Sequence, residues 1–86
     1  MKEIVIAITG EELDFQLTRA LARSLAEKGN AEASLVAWFD AKAGKHSPCC
    51  LKCEIGERPG WEVYGENHGG RVKVIFNARE YVFIYS

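Results

Sequence analysis

The chain has 86 residues, 48% of them apolar and 27% charged, with 11 basic side chains against 12 acidic for a net charge of −1. That length holds one domain, residues 1–86, with a modest core, and the charge balance excludes a general electrostatic pull toward nucleic acid or anionic lipid. Three cysteines, odd in number and crowded into residues 49–53, do not make a disulfide framework, and the apolar run from Ile4 to Ile8 is too short for a secretion signal or a membrane span, so the expectation is a cytoplasmic chain.

Lys2 to Ile8 reads as a strand whose continuous apolar run suits a position covered on both faces. Thr9 and Glu12 have the spacing of a capping box. Glu11, Glu12 and Asp14 crowd the start of a helix that Gly29-Asn30 would end. At helical spacing Leu13, Leu17, Leu21 and Leu25 form one stripe, which should lie on the sheet. Phe15, Ala22 and Ala26 fall on nearly the opposite side. They read as surface residues or as a second contact face, used in a dimer. Ala33 to Phe39 is a second apolar strand. A strand, a crossover helix and a strand make a right-handed βαβ unit with its two strands parallel.

Asp40 to Pro48 reads as a loop, carrying Gly44, His46 and a terminal Ser-Pro. Cys49 to Ile55 could be a strand, and Arg58-Pro59-Gly60-Trp61 fits a type II turn. Trp61 to Glu66 would follow as a strand. Asn67-His68-Gly69-Gly70 is a turn cluster. Arg71 to Asn77 alternates, with Val72, Val74 and Phe76 on one face and Ile75 as an apolar exception on the polar side. Asn77 to Glu80 turns the chain into Tyr81-Val82-Phe83-Ile84-Tyr85. Five large apolar residues in a row require a central strand or an interface. The fold class is therefore α+β: a βαβ unit followed by an antiparallel meander, one helix packed on a five- or six-stranded mixed sheet.

The chemistry-bearing stretch is Lys45 to Cys53. Cys50-Leu51-Lys52-Cys53 has the spacing of a zinc knuckle, which His46, Cys49 or His68 could complete. The same residues read equally as a strand. Extended backbone would set the Cys50 and Cys53 α-carbons roughly 10 Å apart, with their sulfurs on opposite faces, and Cys49 and Cys53 would be small core residues. A thioredoxin-type site is excluded because Gly56 and Pro59-Gly60 leave no room for a helix after the thiols. A milder thiol chemistry, with Lys45, His46 and Lys52 favouring a thiolate at Cys50 or Cys53, remains an alternative.

Elsewhere, Arg58, Trp61, Arg71, Lys73 and Arg79 put basic groups and an aromatic on the meander. Such a face can stack single strands, but the net charge makes a solvated face the simpler reading. No serine–histidine–acid order or carboxylate pair stands out. The expectation is a non-enzymatic interaction or scaffold module acting as a homodimer, without a cofactor. The alternative is a zinc-binding or thiol-redox module centred on Cys49, Cys50 and Cys53 with His46.

Overall fold

The computed structural model describes residues 1–48, 54–55 and 58–86. Five strands form one mixed sheet: β1 (Lys2–Ile6), β2 (Leu35–Asp40), β3 (Lys45–Ser47), β6 (Val72–Phe76) and β7 (Tyr81–Tyr85). Between β3 and β6 lie a two-stranded ribbon, β4 (Glu54–Ile55) with β5 (Arg58–Pro59), and the short helix α2 (Gly60–Asn67). The longer helix α1 (Phe15–Gly29) follows β1. The sheet order is β1-β6-β7-β2-β3.

The architecture is α+β, and β7 takes the central position its five apolar residues demand, with all five buried. Strand order differs from the simplest βαβ expectation. β1 pairs in parallel with β6, while β6, β7 and β2 pair antiparallel in turn. β1 and β2 thus run the same way, as a crossover helix requires, but the β6–β7 hairpin is inserted between them. The crossover rule sets direction and hand, not adjacency. β7 needs cover on both faces and takes the middle. β1 does not, and Val5 stays 71% exposed on the outer strand.

Helix α1 begins later than its capping signal suggests. Asp14 is the cap, accepting a hydrogen bond from the Leu17 amide at 2.8 Å, so Thr9 to Leu13 form an irregular lead-in, bent at Gly10 with φ 85°, that buries Leu13. The face laid on the sheet is rotated away from the middle of the leucine stripe, although Leu13 ahead of the helix is buried and Leu25 packs against the core. Thr18, Ala22 and Ala26 are buried, whereas Leu17 and Leu21 are 39% and 38% exposed. The reason is volume. Phe76, Tyr81, Phe83 and Tyr85 already fill this layer from the sheet side, and a close-packed interior then takes small residues from the helix. Phe15 is drawn inward too, its ring 4.7 Å from Trp38 and 5.5 Å from Phe83.

Residues 61–66, expected as a strand, lie within α2. Pro59, at φ −60° and ψ 141°, turns the ribbon into the helix, so the expected type II turn at 58–61 is instead the β5–α2 junction. The helix turns Trp61 and Gly65 toward the opposite sheet face. There Trp61 stacks on Phe39 at 5.3 Å, above a second core of Ala37, Ile75, Val82 and Ile84. This explains the apolar exception at Ile75: the strand is covered on both faces. The Asp40–Pro48 loop contains β3, which pairs with β2. Of the expected strand 49–55, only Glu54–Ile55 falls among the described residues, as β4.

The β6–β7 hairpin is sharp. Asn77, Ala78 and Arg79 all have positive φ, at 44°, 54° and 74°. The Asn77 carboxamide accepts from the Ile8 amide at 2.8 Å and donates to the Ile8 carbonyl at 3.2 Å. It therefore extends the β1–β6 ladder by one side-chain rung. Among the described residues, no helix is long and apolar enough to cross a membrane.

Candidate functional site

The densest group of charged side chains lies where α2 meets β6. Lys73 alternates onto the α2 face of its strand and is 4% exposed. Glu62 and Glu66, one helical turn apart, aim at it from above: Lys73 Nζ donates to Glu62 Oε2 at 2.8 Å and to Glu66 Oε2 at 3.0 Å. Arg58, on β5, donates to both oxygens of Glu66, one of them at 2.6 Å, and lies 3.7 Å from Glu62. Arg79 reaches in from the hairpin and donates to Glu62 at 3.2 and 3.3 Å. Its guanidinium also lies 5.9 Å over the Trp61 ring. Glu3 stands at the outer margin, 3.9 Å from Lys73.

Three carboxylates thus meet three cations, and the charges cancel. A buried ion pair is tolerated only when its remaining hydrogen-bonding capacity is met. Here Lys73 has two carboxylate acceptors and Glu62 two further donors, and no buried side-chain nitrogen or oxygen among the described residues lacks a partner. The arrangement also sets the acidities. Hydrogen bonds from Arg58, and then from Lys73, hold the Glu66 carboxyl down to about 2 against the opposing effect of burial. For Glu62 burial is the largest single influence and pushes upward, but donation from Lys73 and Arg79 outweighs it and the carboxyl is lowered. General acid–base catalysis works best with a group titrating near the operating pH. Glu66 at about 2 is a weak base with no proton to give near neutrality. This is chemistry suited to locking a helix onto a sheet.

Most of the basic-and-aromatic face expected on the meander is taken up by the same network, while Arg71 is exposed and stands apart from it. Arg58, Lys73 and Arg79 are paired with Glu62 and Glu66, and Trp61 is 3% exposed beneath Phe39 and Arg79. Lys73 in particular is buried, not solvated. Sequence reasoning had the cations but missed their partners, because Glu62 and Glu66 sat in a segment read as extended. The available signal was helical spacing: Trp61 with Gly65 and Glu62 with Glu66 share one helix face.

The expected metal ligands are only partly described. Cys49, Cys50 and Cys53 lie outside the described residues, and so does the question of whether Cys50 and Cys53 converge. His46 sits on β3, its Nδ1 2.9 Å from the Pro48 carbonyl. His68 lies past the end of α2, with Nδ1 2.9 Å from the Tyr64 carbonyl and its ring stacked on Tyr64 at 3.9 Å. No group of three or more potential metal ligands forms among the described residues.

Among the described residues the surface also exposes a few large apolar side chains. Val5, Leu17 and Leu21 are the large apolar side chains most exposed besides Met1. Leu25, next on the same helix flank, lines a groove with Lys2, Ile4 and Val72, so that flank faces β1. Arg19 and Arg23, on the other flank, face Leu35 and Tyr85 on the β2 side.

A family model described as a domain of unknown function, DUF5619, matches residues 1–85. The fold recurs in the crystal structure of a novel protein from Archeoglobus fulgidus, with a TM-score of 0.79 and 24% identity, over 100% of this chain and 93% of that one. No curated protein matches the chain.

Proposed function

The chain belongs to the family of that domain of unknown function, and from its own geometry we propose a non-enzymatic interaction module that acts as a homodimer. The observation that carries this reading is a contrast between two surfaces. The charged cluster of Glu62, Glu66 and Lys73 is closed upon itself, whereas Val5, Leu17 and Leu21 are left in solvent at 71%, 39% and 38%. Internally satisfied charges offer a ligand little. Val5 on the open edge of the outer strand, and Leu17 with Leu21 on α1 over the other sheet face, offer a protein partner apolar contacts. A short chain also gains stability from a second copy, because its own core is modest. Sedimentation equilibrium over a wide concentration range tests this. The expected result is a mass approaching twice the 9.6 kDa of the chain, falling on dilution. A constant monomer mass would refute the dimer.

A further inference from the structure

We propose that α1, β2 and β7 form a binding site for the phosphoryl group of a small phosphate monoester, held by the Arg19 and Arg23 guanidinia and the Tyr85 hydroxyl. The site lies on the flank of α1 that faces β2 and needs no second copy of the chain.

Arg19 and Arg23 are four residues apart on α1, so both side chains leave the helix on one flank. Both are exposed. With Ser34, Leu35 and Tyr85 they line a cavity of about 210 Å³ between the helix and the strands beneath it. None of the ion pairs among the described residues involves Arg19. Arg23 meets Glu27 through Nε, at 3.3 Å. That pair is exposed and therefore weak, and it leaves the two terminal nitrogens of the guanidinium for another acceptor. Two such forks, one helical turn apart, match the oxygens of a phosphate.

Tyr85 is the observation that points to an acceptor. Its side chain is 2% exposed, so packing fixes where the hydroxyl lies. Tyr81, on the same face of the strand, donates its hydroxyl to the Leu13 carbonyl at 3.3 Å. Tyr85 has no such acceptor among the described residues. Its neighbours are Arg19 and Arg23, and a guanidinium only donates. No buried side-chain nitrogen or oxygen among the described residues lacks a partner, so this hydroxyl opens into the cavity it lines. Burial, the largest influence, pushes the phenol up against the pull of the two arginines. The group therefore keeps its proton at neutral pH and is a donor without an acceptor, beside two cations.

Charge and size choose the ligand. Two cations, one of them shared with Glu27, suit a phosphate dianion better than a single carboxylate. The cavity is smaller than the roughly 300–1,000 Å³ of a site that encloses a whole ligand. It takes the phosphoryl head and leaves the rest of the ester in solvent.

The test is a nuclear magnetic resonance titration of the whole chain at constant ionic strength, with inorganic phosphate, phenyl phosphate and acetate as probes. Both phosphates should give saturable shifts at the Arg19 and Arg23 Nε–H groups and at the Ser34 and Leu35 amides, and acetate should bind far more weakly. Arg19→Gln should weaken phosphate binding about tenfold or more, and Tyr85→Phe about tenfold, as expected for a lost hydrogen bond to a charged group. Arg19 is exposed and phenylalanine keeps the buried ring, so both variants should retain the spectrum of the folded chain. Lys28→Gln removes the same charge from the other flank and should leave the affinity unchanged. Shifts that do not saturate in the millimolar range, acetate binding as tightly as phosphate, or an affinity unaltered by both Arg19→Gln and Tyr85→Phe would each overturn the site. An ester that binds more weakly than free phosphate overturns the monoester as its ligand.

Discussion

Lys73 shows how one side chain can be costly and indispensable together. An ammonium at 4% exposure is tolerated because Glu62 and Glu66 sit within 3.0 Å of it. Removing the cation leaves Glu62, itself 4% exposed, with Arg79 as its remaining hydrogen-bonding cation. Lys73→Met should therefore destabilise the fold by about 1–3 kcal/mol, less than a fully orphaned buried charge would cost. Urea denaturation measures this. Adding Glu62→Gln should return part of the loss, because the under-paired buried charge is then gone. If the double variant is as unstable as the two single losses summed, the pair is not coupled as described.

At the scale of elements, α2 depends on a close approach. A β-carbon at Gly65 would lie 2.7 Å from Ile84 Cδ1 and 3.1 Å from Ala37 Cβ, so only glycine lets the helix sit at this depth over β7 and β2. Gly65→Ala should cost about 1–3 kcal/mol by overpacking, although alanine is the better helix former. Trimming the obstructing methyl with Ile84→Val should make the double variant more stable than additivity allows, as read from thermal unfolding. The same element marks where the sequence was hardest to read. The α+β class, the existence of α1, the turns at 67–70 and 77–80 and the central place of β7 are all legible, because each follows from strong periodicity or from glycine and asparagine chemistry. α2 is not, because Trp61, Val63 and Tyr64 are strand formers in a segment of eight residues, and packing on Ile84 overrides their preference. The rotation of α1 away from Leu17 and Leu21 has a similar origin. Periodicity identifies a leucine stripe, but the volume already supplied by Phe83 and Tyr85 decides which face goes in. Lys73 was visible as a polar position of β6, and its burial became readable only once Glu62 and Glu66 stood on a helix.

Across the whole molecule the charge network makes stability depend on acidity. The Glu66 carboxyl titrates at about 2 when folded, against an ordinary 4.5. A folded-state value below the unfolded one means that the stabilisation is complete above about pH 4.5 and is lost as the pH falls through about 2. Because Arg58 is 48% exposed, the contribution is discounted for solvent screening to about 2 kcal/mol. Unfolding free energies measured from pH 6 down to pH 2 should fall in that window, with Lys73–Glu62 adding to the slope, and Glu66→Gln should flatten the curve. A profile unchanged by Glu66→Gln would show that the Arg58 contact contributes nothing. The parallel seating of β1 on β6 has a consequence of another kind, in the order of events during synthesis. Ile6 pairs with Phe76, and the Asn77 carboxamide seals Ile8. At about 5–20 residues per second, some 70 residues take roughly 4–14 s to follow. For that interval the first strand leaves the ribosome with no native partner, its isoleucines and valine in solvent. The last hairpin to be made is therefore the one that recruits the first strand, and the nascent chain meets cellular chaperones with β1 as its exposed segment.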